Sequence, residues 1–213
     1  MTKIHLPYAG IVLFVGPSNS GKTTLLNRMV NEKTILASEV VSSDQFRVLV
    51  SDVEFITWNQ RPKDEADALF DEYYRISNEA FDAMEYLIGK RCRLNKLTII
   101  DATHLKEDDR ERYLRLGKKY HVPVTAVVLN VTEKELISRD KDRDFPRGKN
   151  RIKQQYQHFK RTLRFIKKEG FHRTYILDEA ELETLDIGRQ SNPLFIDVGN
   201  GIDFIGDIHG CFD

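Results

Sequence analysis

Cysteine is nearly missing from this chain of 213 residues, with Cys92 and Cys211 the only two. Two thiols so far apart exclude a disulfide framework or a cysteine-built zinc site, and a reducing, cytoplasmic setting is the natural expectation. Tryptophan is limited to Trp58, and Gly 12 with Pro 6 are too few for a collagenous or low-complexity chain. No stretch approaches the ~20 apolar residues that span a bilayer, so no membrane partner is expected. The apolar run Ala9–Val15 enters a glycine-rich turn instead of a small-residue cleavage site, and reads as a buried strand, not a leader. Net charge is also missing, since 33 Lys and Arg meet 33 Asp and Glu, which at face value argues against a polyanion binder. The zero is uneven, however. Residues 139–173 hold 13 Lys and Arg against four acids, a charge of +9, and the remaining chain carries −9.

What is present is a globular composition, 40% hydrophobic and 31% charged. Short apolar runs alternate with longer amphipathic stretches, the pattern of βαβ units. Strands are expected near Ile11–Val15, Val40–Ser42, Leu97–Asp101, Val124–Asn130 and Thr174–Leu177, and helices over Lys22–Asn31, Lys63–Lys90, Lys106–Tyr120, Glu133–Lys141 and Lys149–Lys168. Ala66, Leu69, Phe70, Tyr73, Ile76, Ala80, Phe81, Met84 and Leu87 recur at three- and four-residue steps and should bury one stripe. The fold class is therefore α/β, three layers around a central, mainly parallel sheet. There is no internal repeat. Ala180–Pro193 reads as a boundary, and the strand-like runs Leu194–Val198 and Ile202–Ile205 beyond it are too short to form a domain alone.

Gly16-Pro17-Ser18-Asn19-Ser20-Gly21-Lys22-Thr23 fits G-x-x-x-x-G-K-[ST] between an expected strand and an expected helix, the context the motif requires. Its glycines let backbone N–H groups converge on an anion, and the helix N-terminus adds a positive dipole end. Gly16, Ser18, Asn19, Ser20, Gly21, Lys22, Thr23 and Thr24 are the candidate nucleoside triphosphate contacts, with Lys22 at the β and γ phosphates and the Thr23 hydroxyl on Mg²⁺. A GTP switch would call for an N-K-x-D motif, and the chain has none.

The second expected strand leads into Ser42-Ser43-Asp44-Gln45-Phe46-Arg47. Ligands of parallel sheets bind at the carboxyl ends of the strands, so Asp44 is a candidate general base for an acceptor hydroxyl. Arg47, one helical turn on, suits an acceptor that carries its own phosphate. Leu97–Asp101 ends four apolar-leaning residues with an acid, and Asp101 would hold a water on Mg²⁺ or orient the phosphate loop. Arg139 and Arg143 repeat at a four-residue step before Pro146, as arginines of a lid near 132–152 that closes over transferring phosphate. The acids between them read as solubilising. Tyr156, Phe159 and Phe165 read as core contacts, and Arg147 and Arg151 as candidates for contacts to the donor base.

Together, Gly16–Thr24, Ser42-Ser43-Asp44-x-x-Arg47, Ile100-Asp101-Ala102-Thr103 and the Arg139/Arg143 pair resemble the 5′-hydroxyl kinase module of the bacterial polynucleotide kinase-phosphatase family of nucleic-acid end healing. The likeness spans most of residues 8–190. It implies a phosphate-loop kinase fold, with transfer of the γ-phosphate of ATP, or another nucleoside triphosphate, to a nucleic-acid 5′-OH end, RNA favoured over DNA. Lys22, Asp44, Arg139 and Arg143 would be catalytic, Asp44 and Arg47 would bind the acceptor, and Thr23 and Asp101 would serve Mg²⁺. Gly206-Asp207-Ile208-His209-Gly210 looks like the first metal motif of a metallophosphoesterase. The resemblance therefore implies that 1–190 is the kinase domain and 191–213 a linker plus the cut start of a phosphatase, itself inactive. Phosphatase and ligase modules would follow in a longer chain, with a repair methyltransferase as partner. His104 departs from the family's usual Asn, and Asp52–Asp67 resembles an insertion. A small-molecule kinase of gluconate or shikimate type and an ATP-gated binding module are the competing readings.

Overall fold

In the computed structural model, which describes residues 2–54, 63–143 and 146–191, the chain runs β1 (Lys3–Leu6), β2 (Gly10–Val15), α1 (Lys22–Asn31), β3 (Val40–Ser42), α2 (Ser43–Ser51) and α3 (Lys63–Arg93). It continues through β4 (Leu97–Asp101), α4 (Glu107–Tyr120), β5 (Val124–Asn130), α5 (Glu133–Lys141), α6 (Lys149–Phe165), β6 (Arg173–Asp178), α7 (Glu179–Glu183) and β7 (Asp186–Arg189). Five strands form a parallel sheet in the order β3-β4-β2-β5-β6. Every residue of β2 is buried because the strand lies mid-sheet with cover on both faces, which is why its sequence is an unbroken apolar run.

Alternation along the strands divides the core. Ile11, Leu13 and Val15 point into one cluster with Met84 and Ile88 of α3, Tyr113 and Leu116 of α4, and Phe159 of α6. Val12 and Phe14 point into the other, with Leu25, Leu26 and Met29 of α1. The expected three-layer α/β architecture is thus present. The second layer also includes a two-stranded parallel sheet of β1 and β7, whose Ile4 and Leu6 are fully buried. Neither strand is visible in the sequence pattern. Each has four residues, and β7 offers a single large apolar side chain, Ile187. The stretch beginning at Ala180, which reads from sequence as a boundary, carries regular structure as far as Arg189.

The stripe of α3 is narrower than its periodicity suggests. Ile76, Ala80, Met84, Ile88 and Cys92 are buried at four-residue steps, whereas Phe70 and Leu87 are exposed. The side chains of Ala66 and Leu69, the segment around Trp58 and the Gly206–Gly210 motif lie outside the described residues. Among the described residues no helix is long and apolar enough to cross a membrane.

Strand register sets out the site. Val41 and Ser42 pair with Ile100 and Asp101, while Leu13 and Phe14 pair with the same two residues from the other side. The ends of β2, β3 and β4 therefore meet at one edge, and the segments leaving them are the phosphate loop, α2 and the Asp101–His104 turn.

Candidate active site

The loop Gly16–Thr23 turns directly out of β2 into α1. Gly21 is its left-handed hinge, at φ 91°, and Asn19 is a second left-handed residue at φ 69°. Left-handed backbone is strained for most side chains, so glycine is fitted to the first of these positions and asparagine tolerated at the second. At Gly16 the constraint is space, because a Cβ would stand 2.7 Å from Ser20 Oγ. The Gly16 N–H donates to Thr103 O at 3.1 Å, tying the loop to the turn after β4.

Lys22 is buried within the loop, where Nζ donates to Gly16 O at 2.8 Å, Pro17 O at 2.7 Å and Ser20 Oγ at 3.2 Å. Burial lowers its pKa to about 8, against the opposing pull of the Asp101 and Asp44 charges. The Thr23 hydroxyl donates to Asp101 Oδ2 at 2.9 Å. Burial raises the Asp101 carboxyl, while Lys22 and the Thr23 hydrogen bond act against the rise. Thr24 follows on the first turn of α1, exposed.

On the other side of the edge, Asp44 and Arg47 share one face of α2 and form an ion pair. Arg47 is buried and Asp44 is exposed, with side-chain exposures of 8% and 71%. Arg47 also donates to Ser43 Oγ at 3.4 Å, and its guanidinium stands 5.0 Å from the centre of the Tyr73 ring on α3. The charge of Asp44 is felt at both Lys22 and Asp101, so the two halves of the site face each other.

Arg139 and Arg143 both reach the phosphate loop at Asn19. Arg143 Nη1 donates to Asn19 Oδ1 at 2.7 Å and Arg139 Nη1 to Asn19 O at 3.4 Å, while Arg139 Nε pairs with Glu135. One acid of this run is not solvated, contrary to the reading of the sequence. Asp140 is buried, and its carboxylate accepts from Asn19 Nδ2 at 2.9 Å and from the backbone N–H groups of Arg147 and Gly148 at 2.9 and 2.8 Å. Burial works to raise its pKa, and those three hydrogen bonds with the nearby Arg143 outweigh it, leaving the carboxyl below its ordinary range. Asp140 thereby joins the loop apex, the end of α5 and the start of α6. Gln155 adds a second tie, its Oε1 accepting the Ser18 N–H at 2.8 Å. Neither Asp140 nor Gln155 stands out in the sequence.

A protein-family profile described as an AAA domain matches residues 11–166. The chain belongs to this AAA domain family. The match runs from β2, which leads into the phosphate loop, to just past the end of α6. Among curated proteins none matches. Among solved structures, the PezAT chromosomal toxin-antitoxin system of Streptococcus pneumoniae aligns at TM-score 0.57 and 17% identity, covering 84% of this chain and 72% of that one. A gluconokinase from Sinorhizobium meliloti aligns at TM-score 0.52 and 15% identity, covering 84% and 88%. A chain of the Pnkp1/Rnl/Hen1 RNA repair complex aligns at TM-score 0.49 and 19% identity, covering 76% and 46%. The AAA domain described here has the fold of a P-loop kinase-like domain.

His104, beside this loop, is buried with left-handed backbone at φ 49°. Its Nδ1–H donates to Phe14 O at 2.8 Å, so the ring buttresses the last turn of β2 before the loop. Burial lowers its pKa to about 4 despite that bond, which keeps it neutral. An open cavity of about 910 Å³ lined by Glu107, Arg115, His121 and His172 lies instead around the start of β5, at the opposite end of the sheet.

Proposed function

We propose that this domain is a 5′-hydroxyl polynucleotide kinase that uses ATP and Mg²⁺, with RNA its preferred acceptor. The observation that carries this reading is the Asp44–Arg47 pair: a buried guanidinium and an exposed carboxylate on one helical face, electrostatically coupled to Lys22 across the strand ends. A base alone would suit any hydroxyl. A buried arginine beside it suits an acceptor whose own phosphate is gripped while its hydroxyl reacts.

In this mechanism the loop N–H groups and Lys22 hold the triphosphate, with Lys22 exchanging the Gly16 and Pro17 carbonyls for phosphate oxygens. Arg139 and Arg143, already at Asn19, stabilise the charge that spreads over the transferring group. Asp44 takes the proton from the acceptor hydroxyl as the new P–O bond forms and the bond to the leaving diphosphate breaks. Thr23 and Asp101 are hard oxygen donors in contact with each other, and the described residues hold no group of three or more acids, histidines or cysteines placed to ligate a metal. That set fits Mg²⁺, which takes few protein ligands and shares its shell with phosphates and water. Held there by Thr23 and Asp101, Mg²⁺ would supply charge neutralisation for the donor phosphates.

The test is transfer from γ-labelled ATP to matched RNA and DNA oligonucleotides with 5′-OH ends, alongside gluconate and shikimate. Labelled oligonucleotide, strongest for RNA, is the expected result. Label on a sugar acid and none on either oligonucleotide would replace this reading with the small-molecule kinase; binding of ATP without transfer to anything would replace it with a nucleotide-gated module.

A further inference from the structure

The helix α6 contains no acid, and none occurs between Lys149 and Lys168. Its inner face is fixed by buried Ile152, Phe159 and Thr162, and by the Gln155 bond to the phosphate loop. On its outer face Lys149, Lys153, Lys160 and Arg164 are exposed. At about 100° per residue they fall within about 60° of one another, a stripe roughly 22 Å long at 1.5 Å rise. Among the described residues none of the four stands in an ion pair, and three acids of the flanking segments are engaged elsewhere. Glu135 holds Arg139, Glu169 holds Arg110, and Glu179 accepts from Thr132.

Lys149/Lys153 and Lys160/Arg164 are each like-charge pairs at i,i+4, an arrangement that works against the helix unless a partner neutralises it. At the far end of the helix Phe165 is 49% exposed, although its sequence context reads as core; it follows Arg164 and stands about 100° round the helix axis from it, on the flank of the stripe. An aromatic face at the end of a cationic track is what single-stranded nucleic acids use, phosphates along the charge and a base on the ring. An acidic protein surface would have no need of the ring.

We infer that the outer face of α6 binds the backbone of a single-stranded polynucleotide, carrying the strand past the lid towards Phe165. This rests on the polynucleotide acceptor proposed above and identifies the surface that makes a long acceptor better than a short one.

The test combines binding and transfer, using a 3′-fluorescein 20-mer RNA with a 5′-OH end and an unlabelled dinucleotide. For the triple variant K153Q/K160Q/R164Q, binding to the 20-mer by anisotropy should weaken at least ~10-fold at low salt, and the slope of log K against log salt should become shallower by about 2. Phosphorylation of the dinucleotide should be unchanged. If the triple variant does not fold, Lys153→Gln alone should lose about 0.7 of the slope. Unchanged 20-mer affinity and slope, or no binding by the unsubstituted protein, overturns the proposal; in the first case an acidic protein becomes the occupant to seek. If the protein binds the 20-mer through this face but phosphorylates no oligonucleotide, the surface stands and the kinase reading falls.

Discussion

The two halves of the site are assembled differently. On the donor side, contacts cross the chain: Asn19 meets Asp140 over 121 residues and Ser18 meets Gln155 over 137. On the acceptor side, Asp44 meets Arg47 over three residues of one helix. A donor site closed by long-range ties is formed only when α5, α6 and the phosphate loop have all docked, so it reports the integrity of the whole fold. The acceptor pair needs little more than α2 and the ring of Tyr73. In the kinase proposed above, this division would hold the common donor rigidly and leave the acceptor end open to adjustment.

Substitutions can break that division, and Asp44→Ala should have the largest effect. Turnover should fall by ~10²–10⁴ while ATP affinity is retained, measured by steady-state transfer and nucleotide titration. Loss of ATP binding in this variant would show that the halves are not separable.

Asp140→Ala should come next and should act on the donor side, because it leaves the Asn19 amide and two backbone N–H groups without their acceptor. We expect a loss of about 1–3 kcal/mol in unfolding free energy and a raised KM for ATP, with the acceptor KM little changed. The sign of the pH dependence follows from the lowered carboxyl. Its stabilisation is present above the ordinary carboxylate pKa of about 4 and fades as pH falls through the lower folded value. The stability gap between the protein and Asp140→Asn should therefore close in acid, by urea melts at stepped pH.

Arg47→Lys should be milder, raising the acceptor KM by about tenfold without touching the donor KM, since an ammonium replaces a fork that grips phosphate bidentately. Gln155→Ala should be smallest. It removes one acceptor from the Ser18 N–H, worth about 1 kcal/mol, and a several-fold rise in KM for ATP is the expected kinetic reading.

The same contrast explains what could be read from sequence. The phosphate loop, the strand ending at Asp101 and the Asp44/Arg47 spacing are local patterns, and each reports its own backbone geometry. The inner strands β2, β4 and β5 were legible because burial on both faces leaves continuous apolar runs. Asp140 was not legible, because a carboxylate inside the mixed run Arg139–Arg143 looks solvated until the chain returns at Arg147 and Gly148 to cover it. The pair β1 and β7 was hidden for a related reason: Lys3 and Asp186 pair across almost the full described length, and Gly188 admits His5 against its backbone, a packing fact with no periodic trace. Phe165 errs the other way, apolar in type and exposed in place.

Lys22 completes its own charge only in company. Burial holds its pKa down to about 8, and phosphate oxygens in place of the two backbone carbonyls would favour the ammonium, so nucleotide binding at mildly alkaline pH should draw protons from solution. The heat of binding, measured in buffers of different ionisation enthalpy, should then differ from buffer to buffer in the order of the buffers' own heats.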